Sequence, residues 1–115
     1  MSIFKRFKAM LRYKVAVNKA NKAYQENGKR YYVLLNGSKG DLVIVDRINF
    51  RKMKHKKYFP YNMYVKHLEQ FCVYHTPYAD GSHPLSDSLR DVKRKQYINF
   101  VDKPKIKNKI RKAPK

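Results

Sequence analysis

The chain has 115 residues, enough for one domain but too few for a second independent hydrophobic core. Hydrophobic residues make up 43% of it, which predicts a packed core and excludes a wholly disordered protein. Its 28 Lys and Arg residues stand against 8 Asp and Glu residues, giving a formal net charge of +20. Self-repulsion on this scale favours a polyanionic partner. Nucleic acid is the one we expect, because cations that neutralise phosphates release condensed counterions.

Two other origins of the charge stay open. An acidic protein or an anionic membrane surface would also attract a strongly basic chain. The sequence is also rich in Lys, Asn, Ile and Tyr, the residues that AT-rich genomes tend to encode.

The sequence has one cysteine, Cys72, which excludes an intramolecular disulfide and any zinc site that needs two thiolates. Basic residues interrupt the apolar residues at the start of the chain, and no segment approaches the roughly 18 apolar residues of a membrane span. We therefore expect a cytoplasmic location in a bacterial host cell, with association with a virion as a further setting.

The positive charge is concentrated in three segments. Residues 1–36 carry a net charge of +8, residues 47–58 carry +6, and residues 93–115 carry +9. The stretches between them, 37–46 and 59–92, carry −1 and −2. This pattern predicts separate basic patches rather than a uniformly basic surface.

Residues 3–26 are predicted to form a helix that stops at Gly28. Two sets of apolar residues repeat with helical spacing but point in different directions. We therefore expect the two halves of the helix to pack against different surfaces, with another chain as a candidate partner for the first half. The first set is Phe4, Phe7, Leu11 and Val15, and the second is Tyr13, Val17, Ala20 and Tyr24.

A β-hairpin is predicted from two β-branched and aromatic runs, 30–36 and 42–45, that flank a segment with two glycines. An isolated two-stranded hairpin is only marginally stable, so at least one helix must cover it. We assign the covered side to Val33, Leu35, Val43 and Val45.

Three further helices are predicted after the hairpin. Asp46 is expected to cap a short helix over 47–57, and Asn62 is expected to cap one that runs to about His75. A loop separates these from a last helix over 85–101. Its apolar face is assigned to Leu89, Val92, Gln96 and Phe100.

The predicted fold is therefore α+β, with a long N-terminal helix, one β-hairpin and two to three further helices. These elements form a single domain over residues 1–102. Residues 103–115 are low in complexity and too charged to pack alone, and we predict that they form a disordered basic tail.

Each basic segment supplies candidate nucleic-acid contacts, although a solvated helix face or a solubility function explains each segment as well. The segment 47–57 is the densest, and like charges at positions i and i+4 destabilise a helix that has no anionic partner. The candidate nucleic-acid-binding residues are Lys5, Lys8, Arg12, Lys19, Lys22, Arg47, Arg51, Lys52, Lys54, Lys56, Lys57, Lys93, Arg94, Lys95, Lys105, Lys107, Lys109 and Arg111.

Aromatic residues lie among these basic segments. Tyr58 and Tyr61 are candidates for stacking on unpaired bases, because they follow the densest basic segment at a break in structure. Core packing is the alternative role for the aromatic residues in general, since the sequence contains no Trp.

Neither a metal, a cofactor nor an enzymatic activity is expected. Cys72, His75 and His83 superficially resemble a ligand set, but a second pair of ligands at zinc spacing is missing. The sequence also lacks a nucleophile elbow, a P-loop and a dinucleotide-binding glycine motif.

Four segments resemble small basic proteins encoded by phages and mobile elements of gut Bacteroidetes. They are Lys19-Ala-Asn-Lys-Ala-Tyr24, Gly28-Lys-Arg-Tyr-Tyr-Val33, Asp46-Arg-Ile-Asn-Phe-Arg-Lys-Met-Lys54 and Tyr74-His-Thr-Pro-Tyr78. The resemblance implies a phage or mobile-element setting, and with it a nucleic-acid or virion role, but no activity and no site residues.

The sequence thus predicts a non-enzymatic nucleic-acid-binding protein that favours DNA over RNA and contacts mainly the phosphate backbone. A regulatory role in a phage or mobile element fits this prediction. The alternative is a small structural or adaptor protein that binds an acidic protein surface, such as a virion or polymerase component.

Overall fold

The computed structural model describes residues 3–36, 39–59 and 62–102. These residues form an α+β fold with a long N-terminal helix and a β-hairpin, as predicted. The predicted tail and its candidates Lys105, Lys107, Lys109 and Arg111 lie outside the described residues. The elements, in chain order, are α1 (Ile3–Asn27), β1 (Tyr32–Leu35), β2 (Leu42–Val45), α2 (Arg47–His55), a 3₁₀ turn (Val65–His67), α3 (Leu68–Phe71), β3 (Tyr74–His75) and α4 (Asp87–Asp102).

β1 is the central strand of an antiparallel sheet with the order β2-β1-β3. Tyr32 pairs with Val45 and Leu35 pairs with Leu42 across the hairpin. The third strand was not predicted. It forms because the chain leaves α3 at Cys72 and runs along the free edge of β1, where the Val73 amide donates to the Val33 carbonyl at 2.9 Å.

Side chains alternate across the two faces of this sheet, and both faces are covered. The register places Val33 beside Ile44, so the predicted grouping of Val33 and Leu35 with Val43 and Val45 is wrong. One face packs against α1 and α4, and the other packs against α2, the 3₁₀ turn and α3. The protein therefore has three layers, with the sheet in the middle.

The α1 layer approaches the sheet closely because its packing face is built largely from alanine. Ala9, Ala16 and Ala20 are buried there together with Tyr13, whose hydroxyl donates to the Val73 carbonyl at 2.9 Å. α1 stops where predicted, at Gly28, which has a positive φ of 71°.

α4 joins this layer through Tyr97, whose hydroxyl donates to the Gly40 carbonyl at 2.6 Å. Gly40 has φ +92°, and a Cβ at this position would lie 2.7 Å from Val101 Cγ2. A side chain is therefore excluded at Gly40 by both conformation and space.

The predicted apolar face of α4 is wrong, because Leu89, Val92, Gln96 and Phe100 are exposed, while Lys93, Tyr97 and Ile98 are buried.

The opposite layer is built around Phe50, Phe59, Leu68 and Cys72. Asp46 caps α2 as predicted, accepting a hydrogen bond from the Asn49 amide at 2.8 Å. The predicted helix from Asn62 to His75 is wrong. Only the 3₁₀ turn and the four residues of α3 are helical, because pairing with β1 stabilises the extended chain after Cys72.

Candidate nucleic-acid interface

The three-layer fold separates the described parts of the basic segments instead of gathering them on one surface. α1 and α4 carry described cations of the first and third segments on one side of the sheet, and the second segment lies on the opposite side with α2. The described candidates therefore belong to distinct patches. The patches differ in how many of their Lys and Arg side chains already form hydrogen bonds or ion pairs within the protein.

The α4 cations are held by partners within the protein. Lys93 is buried, and its ammonium donates to three backbone carbonyls, so we remove Lys93 from the candidate interface. Arg94 and Lys95 both pair with Asp91, and their hydrogen bonds hold the pKa of that carboxyl below its ordinary value. Because these charges are compensated inside the helix, α4 is a weak candidate for phosphate contacts.

The candidate nucleic-acid-binding residues of α1 fall into two groups. Arg12 is partly buried and donates to the Tyr97 hydroxyl at 3.2 Å, and it also lies 3.4 Å from the Gly40 carbonyl, so it is a structural side chain. Lys5, Lys8, Lys19 and Lys22 are exposed. α1 and α2 lie on opposite faces of the sheet, so these lysines are separated from the α2 cations.

The α2 segment, which comprises helix α2 and the two residues after it (47–57), differs from the other basic segments because no described acidic residue forms an ion pair with its cations. Within the part of the chain that the structure describes, none of its Lys or Arg side chains forms an ion pair. The neighbouring Asp46 is occupied by capping α2 and by Lys29 Nζ at 3.9 Å. The segment's cations, all exposed except the half-buried Lys54, are Arg47, Arg51, Lys52, Lys54, Lys56 and Lys57.

An open groove of about 390 Å³ runs between α2 and the 3₁₀ turn. Arg51, Lys54 and Lys66 bring positive charge to it, and Tyr64 forms part of its wall. Lys54 Nζ lies 3.9 Å from the centroid of the Tyr64 ring, within range of a cation–π contact. The groove therefore brings Tyr64 and Lys66 together with Arg51 and Lys54, which lie ten or more residues earlier in the sequence.

Sequence reasoning missed Lys66, and it counted Tyr64 among the aromatic residues near the basic segments without selecting it as a stacking candidate. Their signal was weak, because the folding of the 3₁₀ turn against α2 is what brings an isolated lysine and tyrosine to the basic segment. Of the predicted stacking residues, Tyr58 is exposed next to Lys57, whereas Tyr61 lies outside the described residues.

The residue that ends the last turn of the α2 segment, Lys57, has a backbone conformation that favours glycine. The Tyr58 amide donates to the Met53 carbonyl at 3.0 Å, and the Lys57 amide donates to the Lys54 carbonyl at 2.9 Å. This is the Schellman arrangement, and it places Lys57 at a positive φ of 70°. A lysine here costs about 1 kcal/mol relative to glycine, so this position retains a cation at the expense of stability.

A second polar cluster is buried at the edge of β1 and has internal partners throughout. Arg30 donates to the Thr76 carbonyl at 3.0 Å, contacts His75 Nδ1 at 3.0 Å and lies 3.6 Å from a Glu69 oxygen. Its guanidinium also lies 4.0 Å from the centroid of the Tyr78 ring. The cluster connects the start of β1 to β3 and the loop that follows it, so its role is structural.

Of the three side chains that resembled metal ligands, Cys72 and His75 are buried near this cluster, whereas His83 is exposed. Burial raises the pKa of the Cys72 thiol to about 11 and lowers the pKa of His75. Among residues 3–36, 39–59 and 62–102, no group of three or more His, Cys, Asp and Glu side chains is arranged to hold a metal ion.

None of the helices in the described residues is long and apolar enough to cross a membrane. No protein-family model, curated protein or solved structure matches the chain. The resemblance to phage and mobile-element proteins stays a prediction.

Proposed function

We propose that this chain is a non-enzymatic nucleic-acid-binding protein, and that α2 and the adjoining groove form its interface. The observation that carries the proposal is the set of six α2 cations without an acidic partner in the described residues. An external polyanion would relieve their mutual repulsion. A phosphate backbone supplies repeated negative charges along a line, which suits cations arrayed along a helix.

The strained lysine gives independent support. Glycine would make a more stable end to α2 than Lys57 does, and Lys57 adds positive charge where the chain leaves the helix. Strained backbone tends to occur where function requires a particular side chain. A contact between Lys57 and a phosphate would explain why lysine occupies this position.

The groove extends the proposed interface beyond simple charge. Lys66 faces it from the 3₁₀ turn, and Tyr64 presents a half-exposed ring in contact with Lys54. Cations beside an exposed aromatic ring are typical of surfaces that follow a nucleic-acid backbone. We propose DNA as the ligand, bound mainly through its phosphates and with modest sequence preference.

Salt dependence tests the proposal directly. Fluorescence anisotropy with a labelled DNA duplex should show log affinity falling linearly with log salt concentration, with a slope of about −0.9 for each phosphate contacted. If all six α2 cations make contacts, the slope is about −5. An affinity for DNA that is independent of salt would contradict the proposal.

A pair of charge-matched variants locates the interface. The first variant replaces five α2 cations, Arg51, Lys52, Lys54, Lys56 and Lys57, with Gln. The second replaces five exposed lysines from the other layer, Lys8, Lys14, Lys19, Lys22 and Lys95, with Gln. Both variants lose the same net charge, so long-range attraction weakens equally in the two.

We expect the α2 variant to lose at least tenfold more DNA affinity than its matched control and to show the smaller salt slope. Circular dichroism should show that both variants remain folded, because all the substituted residues except Lys54 are exposed. Equal losses in the two variants would assign binding to net charge rather than to α2. A greater loss in the control would place the interface on α1.

A further inference from the structure

α1 has a second apolar face on the side opposite its packing face. We term this face the outer stripe. Its side chains are between 45% and 88% exposed. At 100° per residue they occupy a sector about 140° wide, turned away from the buried alanines. The outer stripe consists of Ile3, Phe4, Phe7, Met10, Leu11 and Val15.

Single exposed apolar residues are ordinary on protein surfaces, but a contiguous set on one helix face marks an interaction surface. The two most N-terminal members, Ile3 and Phe4, are 88% and 74% exposed. The sheet and α4 use the other side of α1, so the described part of the fold offers the outer stripe no cover. A surface that covers the outer stripe must therefore come from outside the layer formed by α1 and α4.

Within α1, positive charge flanks the outer stripe, whereas at the edge next to α4 Met10 shares a groove with two arginines of α4 and the acids Asp87 and Asp91. No acidic residue occurs in α1 before Glu26, whereas seven Lys and Arg residues do. Lys8 lies beside the stripe, with its ammonium 5.9 Å from the centroid of the Phe4 ring. Lys14 and Lys22 lie in line with the stripe toward the C-terminal end of the helix. The surface that covers the stripe must therefore be both apolar and bordered by negative charge.

A second copy of this chain fits poorly, because pairing two outer stripes would bring the lysines of one +20 chain against those of another. A groove on a partner protein would have to match a convex ridge of bulky side chains. A lipid bilayer has no such shape requirement: its acyl region accepts Phe and Leu, while lysine stems extend to the headgroups.

We propose that α1 is an interfacial helix that lies on an anionic lipid bilayer, with the outer stripe in the acyl boundary and the flanking lysines at the lipid phosphates. The helix lies in the plane of the surface and does not cross it. α2 belongs to the opposite layer, so the proposed nucleic-acid interface stays accessible while α1 is bound. The lipid proposal does not depend on that function.

The absence of Trp from the sequence permits a test with a single fluorophore in the full-length chain. Phe7→Trp places it in the outer stripe, and Ile48→Trp places it on α2, at a residue that is similarly exposed. We expect vesicles of phosphatidylcholine and phosphatidylglycerol to shift Phe7→Trp emission to the blue, and lipids spin-labelled near the headgroup to quench it. Ile48→Trp should not respond. An equal response at Ile48→Trp would overturn the proposal in favour of adsorption through the basic side.

Vesicle sedimentation provides the second measurement. The Phe7→Ser, Leu11→Ser double variant should bind the anionic vesicles on the order of 100-fold more weakly, because each side chain contributes about tenfold when buried in the interface. The matched Ile48→Ser, Phe71→Ser variant changes two exposed apolar residues of the other layer and should bind like the wild type. Vesicles of phosphatidylcholine alone should bind only weakly.

Unchanged binding of the Phe7→Ser, Leu11→Ser variant would reduce the interaction to charge alone and overturn the proposal. A lipid-free dimer, detected by sedimentation equilibrium and abolished by the same two substitutions, would overturn it in favour of a second copy as the occupant. Circular dichroism of each variant in the absence of lipid establishes that a loss of binding is not a loss of fold.

Discussion

Lys93 donates a hydrogen bond from its ammonium to the Cys72 carbonyl at 2.8 Å, across 21 positions in the sequence. The same ammonium lies 3.3 Å from the Glu69 carbonyl and 3.2 Å from the Gln70 carbonyl. These carbonyls lie at the C-terminal end of α3, a helix of four residues with few bonds of its own. Lys93 satisfies them and places a positive charge where the helix dipole is negative.

Lys93→Met should lower the free energy of unfolding by about 2 kcal/mol, because methionine keeps the apolar stem but removes the ammonium donor from the buried Cys72 carbonyl and the part-buried Gln70 carbonyl. Urea denaturation followed by circular dichroism measures this change. Lys95→Met is the matched control on the exposed side of α4, where solvent screens the Lys95–Asp91 ion pair and its loss should change the free energy of unfolding little. Similar losses in the two variants would show that Lys93 does not stabilise the end of α3.

Lys57 and Lys56 are adjacent but differ in backbone conformation. Lys57 has φ +70°, whereas Lys56 has φ −85°. Glycine should therefore relieve strain at the first position and only add flexibility at the second. Both substitutions remove one positive charge from the proposed interface.

We expect Lys57→Gly to raise the free energy of unfolding by about 1 kcal/mol and Lys56→Gly to lower it by about 0.5 kcal/mol. Each variant should bind DNA more weakly and lose about 0.9 of a unit of salt slope. Thermal denaturation and fluorescence anisotropy measure the two effects separately. If Lys57→Gly gains stability and keeps full DNA affinity, Lys57 is not a phosphate contact.

Local signals were enough to predict the long helix and the hairpin. Apolar spacing and Gly28 predict α1, and two β-branched and aromatic runs close together in the sequence predict β1 and β2. The Asp46 cap was also predictable, because its hydrogen bond reaches only three residues along the chain. In each case the residues that determine the structure are sequence neighbours.

Long-range contacts decided the features that sequence reasoning missed. β3 exists because the 74–75 segment meets the edge of β1, about 40 residues earlier in the chain. Lys93 appeared to belong to a basic surface, yet carbonyls more than 20 residues away draw its ammonium inward. The groove of the candidate interface depends in the same way on Tyr64 and Lys66 folding back against α2.

His75 is buried in contact with a permanent cation. Its Nδ1 lies 3.0 Å from the Arg30 guanidinium and 2.9 Å from the Thr76 carbonyl, and its Nε2 lies 3.8 Å from a Glu69 oxygen. Burial lowers the pKa of His75 below its ordinary value of 6.5, and the positive charges of Arg30 and Lys93 lower it further. The Thr76 carbonyl and Glu69 oppose this shift without cancelling it. The folded protein therefore holds His75 neutral at pH values where an exposed histidine would be protonated.

This shift predicts that acid destabilises the fold. Below pH 6.5 the unfolded chain binds a proton at His75 that the folded chain does not. The free energy of unfolding should therefore fall, by up to about 1.4 kcal/mol per pH unit, until the pH reaches the pKa of His75 in the folded protein. Urea denaturation at a series of pH values measures this slope.

His75→Gln should reduce that slope, whereas His55→Gln, at an exposed histidine on α2, should leave it unchanged. Because His75→Gln changes a buried position, its absolute stability will also differ, and the informative quantity is the pH dependence alone. A proton NMR titration of the folded wild-type protein provides a check without substitution, since the His75 imidazole signal should have a midpoint below 6.5. Parallel stability curves for the wild type and His75→Gln, or a midpoint at or above 6.5, would contradict this account.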